Sequence, residues 1–437
     1  MNLYQALRLN PASRIAFVGS GGKTTAMFQL ARQWPAPVIM TATTHLAVEQ
    51  LKLADQHFVV TSPADVREAS LGSGVCLFTG PNGEEGRTRG VDDRTLAEIR
   101  AMADTLNCPL LIEADGSRQR PLKAPAAHEP AIPAFVETVV VVAGLSGLGR
   151  PLNEDGVHRP ERFAELTGLE RGMLVTSTAL VEALAHPAGG QKNIPTTARR
   201  VVLLNQADTD LLQSQARGMV DKLLRAYDGV GIASLEKGAV FALHEKIAGV
   251  VLAGGASQRL GQPKQLLDWQ VKAFVRHMAE VALEAGLSPV AVVTGAFEAA
   301  VGEAVREIPV CVVHNPAWAE GQSTSVRRGL AELPANVGGA VFLLVDQPFV
   351  SAPLIRALVE EHARTLAPIV APLIDDTRSN PVLFDRQTFS DFDRLEGDVG
   401  ARTLFSRHRA LWIPWYDPRA RLDVDTWEDY QRLGGGE

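Results

Sequence analysis

Val250-Val251-Leu252-Ala253-Gly254-Gly255-Ala256-Ser257-Gln258-Arg259-Leu260-Gly261, with Lys264 three residues on, is the stretch on which the fold turns. An apolar run of β-branched residues that ends in paired glycines reads as a buried strand entering a tight turn. Glycine there removes the Cβ that would keep backbone amides away from phosphate oxygens. Arg259 and Lys264 add the positive charge that a triphosphate and a departing pyrophosphate need. An ordinary turn explains Gly254 and Gly255. It does not explain the serine, arginine and lysine at fixed spacing behind them.

Working outward, the same strand-then-helix rhythm fills the chain. Continuous apolar runs stand at Ile247–Leu252, Pro289–Val293, Pro309–Val312, Ala340–Val345 and Ile369–Ala371, as expected of parallel strands covered on both faces. An earlier set stands at Arg14–Val18, Pro37–Met40, Pro109–Ile112, Thr138–Val142 and Arg200–Leu204. Tyr227 to Lys246 carries glycines and charges without a long periodic segment and reads as the connection. The expectation is two doubly wound α/β domains, residues 1–243 and 247–437.

The bulk numbers agree: 437 residues with 46% hydrophobic content exceed what one core organises. A net charge of -7 spread without blocks gives no footprint of a nucleic-acid or membrane-surface binder. With no leader-like start and no apolar run of ~20 residues, the expected location is the cytoplasm. Cys76, Cys108 and Cys311 are far apart, which suits a reducing compartment and predicts three buried small apolar residues.

Further along the second half, Val341–Val345 runs into Asp346-Gln347-Pro348, a carboxylate at a strand's C-terminal end, where open α/β sheets bind ligands and a hard oxygen donor suits Mg²⁺. Leu422-Asp423-Val424-Asp425-Thr426 supplies a late acidic pair, and alternation along an extended chain sends its two carboxylates to opposite sides. With His314-Asn315-Pro316-Ala317-Trp318, Gly321 to Val326, Arg378 to Phe384 and Gly397 to Arg402, these motifs resemble the molybdenum cofactor cytidylyltransferases of the NTP-transferase superfamily, from about Ile247 to Leu433.

That resemblance implies a Rossmann-like nucleotidyltransferase domain that transfers CMP from CTP to molybdopterin and releases pyrophosphate. It implies Arg259, Lys264 and Asp346 as catalytic residues, and Leu252, Ala253, Gly254, Gly255, Ser257, Lys264, Ser323 and Ser325 around the nucleotide. Mg²⁺ is implied on Asp346 and Asp425, with Asp423 the second choice beside Asp425. The segments at 378–384 and 397–402 are implied to face the pterin. Gly254 and Val345 depart from the cytidylyl pattern, and the Leu-Ala-Gly-Gly form of the loop is the guanylyltransferases', which keeps GTP open as the donor. Two competing readings are a sugar phosphate as acceptor and a cofactor carrier whose nucleotide sites only gate binding.

In the first half, Arg14–Val18 leads into Gly19-Ser20-Gly21-Gly22-Lys23-Thr24-Thr25 and a helical pattern. This is P-loop-like chemistry: amides around phosphates, Lys23 on the terminal ones, the Thr24 hydroxyl toward Mg²⁺. Glu113-Ala114-Asp115-Gly116 places carboxylates at a strand end, and Asp115 is the expected metal ligand. Asn205-Gln206-Ala207-Asp208 looks like the base-reading element of GTPases with Gln for Lys; a turn opening on asparagine is the simpler reading. Together with Thr41 to His45, Arg120 to Pro125, His128-Glu129-Pro130 and Val157 to Pro160, this half resembles the accessory proteins of selenium-dependent molybdenum hydroxylases, YqeC-like. The resemblance implies ATP or GTP as ligand and molybdenum hydroxylases as targets. His45, His128 and His158 read as structural or surface histidines, and Glu84-Glu85 as a solvated hairpin tip.

Overall fold

The computed structural model describes residues 1–34, 37–83, 86–257, 260–395, 397 and 401–434. Arg259, the pair Glu84-Glu85 and Asp398 to Gly400 lie outside them. The chain divides into two compact units, Met1–His244 and Glu245–Glu437.

The first unit is built on strands β1 Arg14–Gly19, β2 Val38–Ala42, β3 Gln56–Val59, β4 Val75–Thr79, β5 Leu110–Glu113, β6 Thr138–Gly144, β7 Arg199–Asn205, β8 Gly229–Ser234 and β9 Ala239–Glu245. They form one nine-stranded sheet in the order β9-β8-β7-β6-β1-β5-β2-β4-β3. From β3 through β8 every neighbour runs parallel. Phe17, Val140 and Leu204 are fully buried, and each such side chain contributes about 1.5–3 kcal/mol through lost apolar hydration. Here the expectation from the sequence needs correction: the segment read as a connection contains β8 and β9. Gly231 serves close packing, since a Cβ there would sit 2.9 Å from Leu203 Cδ1 on the adjacent strand.

The second unit has β10 Ile247–Ala253, β11 Val290–Thr294, β12 Cys311–His314, β13 Gly339–Leu344, β14 Ile369–Ile374, β15 Thr377–Arg378, β16 Val382–Asp385 and β17 Ala410–Pro414. The sheet order is β12-β11-β10-β13-β16-β14-β15, with β17 alongside β14. Alternate residues of β10 feed two cores. Ile247 and Val251 pack with Met278 of helix Phe274–Glu284, whereas Ala248 and Val250 pack with Val326 of helix Gln322–Ala331. The sheet is mixed where an all-parallel one was expected: β16 inserts antiparallel between β13 and β14. The edge strand β12 is not covered on both faces, and Cys311, expected buried, is exposed while Cys76 and Cys108 are buried. No helix among the described residues is long and apolar enough to cross a membrane.

Candidate active site

In the second unit the loop after β10 wraps the C-terminal edge of the sheet. Ser257 takes a left-handed conformation (φ 52°), and its hydroxyl accepts the Lys264 amide at 2.9 Å and meets Gln265 Oε1 at 3.2 Å. Gln265 in turn donates to the Gly255 carbonyl at 3.1 Å. The serine therefore fastens the loop to the segment that carries the lysine, and Gln265, to which the motif spacing assigns no role, completes that brace. Lys264 Nζ lies 3.1 Å from Asp346 Oδ2 and 2.8 Å from Asp425 Oδ1. The Val424 amide donates to the Asp346 carbonyl at 2.9 Å, which brings the late acidic segment to the end of β13. Burial by itself would pull the Lys264 ammonium down, but Asp346 and Asp425 outweigh it and hold its pKa above the ordinary lysine value.

A cavity of about 630 Å³ opens over this cluster. Leu252, Ala253, Gly254, Gly255, Ser257, Lys264, Ser325, Asp346 and Asp425 line it together with Trp318. Ser323 is fully buried, is not among the lining residues and has no hydrogen-bond partner on its hydroxyl. The Ser325 hydroxyl accepts from Asn315 Nδ2 at 2.9 Å, so an asparagine legible only as part of a motif fixes a cavity-lining serine. An adjoining cavity of about 360 Å³ shares Leu252, Gln322 and Leu344 with the first and is lined by Arg378, Asn380, Phe405, Arg421 and Asp423. Asp425 and Asp423 thus face different cavities, as extended-chain alternation requires. Gln347 Nε2 donates to Asp423 Oδ1 at 2.7 Å, and burial, with the Asp346 and Asp425 charges behind it, raises the Asp423 pKa.

Among the described residues no three His, Cys, Asp or Glu side chains gather as a metal cage. Asp346 Oδ1 is nevertheless buried without a hydrogen-bond partner, and Asp425 is held beside the same ammonium. Two carboxylates with an open oxygen fit a hard divalent ion that draws its other ligands from phosphates and water.

In the first unit, the loop after β1 differs in one respect from the cradle expected of it. The amides of Gly19, Ser20 and Gly21 already donate to Asp115 Oδ2, the Val142 carbonyl and the Arg120 carbonyl. Helix Lys23–Arg32 starts with no side-chain cap at Gly22, so anion-binding capacity moves to the amides of its first turn, at Lys23, Thr24 and Thr25. Gly19 and Gly21 are required where they stand: both have positive φ, and added Cβ atoms would meet Val142 O at 2.2 Å and Gly144 Cα at 2.4 Å. Lys23 is buried, with Nζ 2.8 Å from the Gly19 carbonyl, 3.2 Å from Asp115 and 3.7 Å from Glu113. The Thr24 hydroxyl donates to Glu113 Oε2 at 2.9 Å. Burial lowers the Lys23 pKa and the carboxylates raise it, with a net rise; burial raises that of Glu113.

A cavity of about 260 Å³ is lined by Gly21, Gly22, Lys23, Thr24, Thr25, Glu113, His45, Arg87 and Arg118. Asp115 stands behind it and also accepts Lys123 Nζ at 2.8 Å, and Lys123 reaches Glu129 at 2.9 Å. Arg159 grips both oxygens of Glu129 at 2.9 Å. Burial opposes ionisation of Glu129, but these two cations hold its pKa down to about 2. Lys123, Glu129 and Arg159 sit inside motifs that gave them no individual role; the opposite charges of Lys123 and Glu129 in one glycine-poor loop were the available signal. His45 rests on the Thr88 carbonyl at 2.8 Å, and His128 is exposed.

Residues 15–161 match the YqeC protein family, and residues 249–411 match the MobA-like NTP transferase domain. The first half is similar to Uncharacterized protein YqeC of Escherichia coli K12, 36% identical over 212 residues, 46% of this chain and 80% of that one. The second is similar to a probable molybdenum cofactor guanylyltransferase of Mycobacterium bovis, 34% identical over 188 residues, 41% of this chain and 89% of that one. Among solved structures, Rv0371c from Mycobacterium tuberculosis H37Rv is 33% identical with a TM-score of 0.40, over 43% of this chain and 97% of that one.

Proposed function

Because the chain belongs to the YqeC family in its first half and to the MobA-like NTP transferase family in its second, where it is a nucleotidyltransferase, we propose that it makes molybdopterin cytosine dinucleotide. CTP occupies the larger cavity of the second unit, and molybdopterin occupies the adjoining one. The observation that supports this reading is the Lys264, Asp346 and Asp425 cluster, which lies on the nucleotide side, with Asp423 and Arg421 across from it.

In the reaction a terminal phosphate oxygen of molybdopterin attacks the α-phosphorus, a new P–O bond forms, and the bond to the β-phosphate breaks with its electrons leaving on pyrophosphate. Asp346 and Asp425 would hold Mg²⁺, which when bound neutralises phosphate charge. Lys264 stays protonated and places its ammonium against the phosphates. The Ser257 and Gln265 brace keeps the loop from moving as charge shifts, and Arg378 and Arg421 attract the acceptor's phosphate. No nucleophilic side chain is needed.

GTP as donor is the second reading. The Gly254-Gly255 loop favours it, as does the guanylyltransferase name of the relative. In the first unit the loop at Gly19 to Thr25 is a P-loop-like site for ATP or GTP, with Glu113 and Thr24 as the metal side and Asp115, expected as the ligand, standing behind them in ion pairs with Lys23 and Lys123, and the chain as a whole serves molybdenum hydroxylase maturation. The test is pyrophosphate release with Mg²⁺ and Mo-molybdopterin from CTP, GTP or ATP, with Asp346→Ala as control. CTP-dependent release that the substitution removes is expected. Preference for GTP moves the assignment to the second reading; no release with molybdopterin but release with sugar phosphates, or none at all, overturns both.

A further inference from the structure

The end of β7 does more than open a turn. Asn205 is buried, and both ends of its amide are used: Nδ2 donates to the Gly21 carbonyl in the phosphate loop at 2.7 Å, and Oδ1 accepts the Leu235 amide just past β8 at 3.0 Å. A Cβ on Gly22 would fall 2.4 Å from the same Nδ2, so the amide lies directly against the loop. Three residues on, the half-buried Asp208 has one carboxylate oxygen held by the hydroxyl of Ser234, itself fully buried at the end of β8, and Lys237 Nζ donates to the Asp208 backbone carbonyl at 2.9 Å. Asn205 therefore ties the loop that would hold phosphates to the end of β8, and Ser234 at that end holds the Asp208 carboxylate.

β7 lies two strands from β1, across β6, a displacement of about 10 Å. In a nucleoside triphosphate the ribose and the inner phosphates lie across such a span, between the terminal phosphate and the base. A carboxylate offers acceptors only. The Watson–Crick edge of guanine presents two adjacent donors, N1–H and the 2-amino group, whereas adenine presents an acceptor at N1 whose lone pair would face the carboxylate.

We propose that Asp208 is the base-reading residue of the first unit and accepts from guanine N1–H and the 2-amino group, so that the ligand there is GTP rather than ATP. This rests on the phosphate-binding reading of the Gly19 to Thr25 loop. Asn205 is the positioning residue that sets Asp208 relative to Lys23.

Equilibrium binding of GTP, ATP and XTP to the full-length chain tests it. Lys264→Ala is carried throughout to weaken the second unit's site, and Lys23→Met defines the component that belongs to the first. The expected result is a Lys23-dependent preference for GTP over ATP of about a hundredfold, the cost of an unmade charge-assisted pair. Asp208→Asn should invert it toward XTP, whose 2-oxo group accepts from the new amide. Gain of XTP binding cannot come from misfolding. Equal Lys23-dependent binding of ATP and GTP, unchanged in Asp208→Asn, overturns the base assignment while leaving the phosphate site standing. Absence of Lys23-dependent binding by any nucleotide, with no XTP binding by Asp208→Asn, overturns both.

Discussion

At the residue scale, Lys264 is the group whose removal separates stability from chemistry. It is ion-paired to both Asp346 and Asp425, so Lys264→Ala leaves two neighbouring carboxylates with no cation between them. The expected loss in kcat/KM for pyrophosphate release is about 10²–10³-fold, with the far-ultraviolet circular dichroism unchanged; activity within threefold of the parent would remove the lysine from the mechanism. Gly254 is the residue at which the donor choice can be probed. A Cβ there would approach Ser325 Oγ to 3.1 Å, a contact relieved by a shift of a few tenths of an ångström that stretches the Asn315 hydrogen bond without breaking it. Gly254→Ala should therefore fold and shift the CTP to GTP ratio of turnover, measured with both nucleotides in competition. The acidic residue pair Asp423 and Asp425 was legible in the sequence as opposed carboxylates. Which of them Lys264 chooses was not, because that depends on where a segment 161 positions away crosses the sheet edge.

At the element scale, both glycine loops follow a buried strand, and in both the strand run was visible as an unbroken apolar stretch. What the loops do with their amides was not visible. In the first unit the amides at 19–21 are consumed by Asp115 and two carbonyls from distant segments, which leaves the first-turn amides of helix Lys23–Arg32 as the ones an anion could meet. Gly21→Ala would force a Cβ to 2.4 Å from the Gly144 backbone at a positive φ. It should destabilise the first unit by roughly 2–4 kcal/mol and abolish triphosphate binding there, read by urea denaturation and by nucleotide titration. Asn205→Ala should cost about 1–3 kcal/mol, because the Gly21 carbonyl and the Leu235 amide lose a buried partner. β8 escaped the sequence reading because Gly229 and Gly231, read as linker, lie against side chains of the neighbouring strands, and β9 went with it.

At the scale of the whole molecule, the buried charge network of the first unit gives the chain an acid limit. Glu129 has a folded pKa of about 2 against an ordinary 4.5. A depressed carboxylate stabilises the fold above its unfolded pKa, and that contribution, roughly 3 kcal/mol, is lost as pH falls from 4.5 through 2. His158 has a folded pKa of about 4, held down by burial and then by Arg159 and Lys123. Its neutral form is the one the fold accepts, so stability is lost as pH falls from 6.5 through 4. Urea midpoints at pH 7, 5 and 3.5 should drop monotonically, and Glu129→Gln should flatten the step below pH 4.5; a midpoint independent of pH would show that the network contributes nothing. Each unit has its own sheet and cores, so residues 245–437 expressed alone should retain pyrophosphate release, checked against the full chain at equal concentration. The sequence by itself determined the strand and helix alternation, the two glycine loops and the carboxylates at strand ends, because burial period and backbone freedom are local properties of residue order. Only the tertiary structure decided the antiparallel insertion of β16, the exposed edge at Cys311, the pairing of Lys264 with Asp425 and the tie from Asn205 to Gly21, because each joins residues distant in sequence and depends on which strands become neighbours.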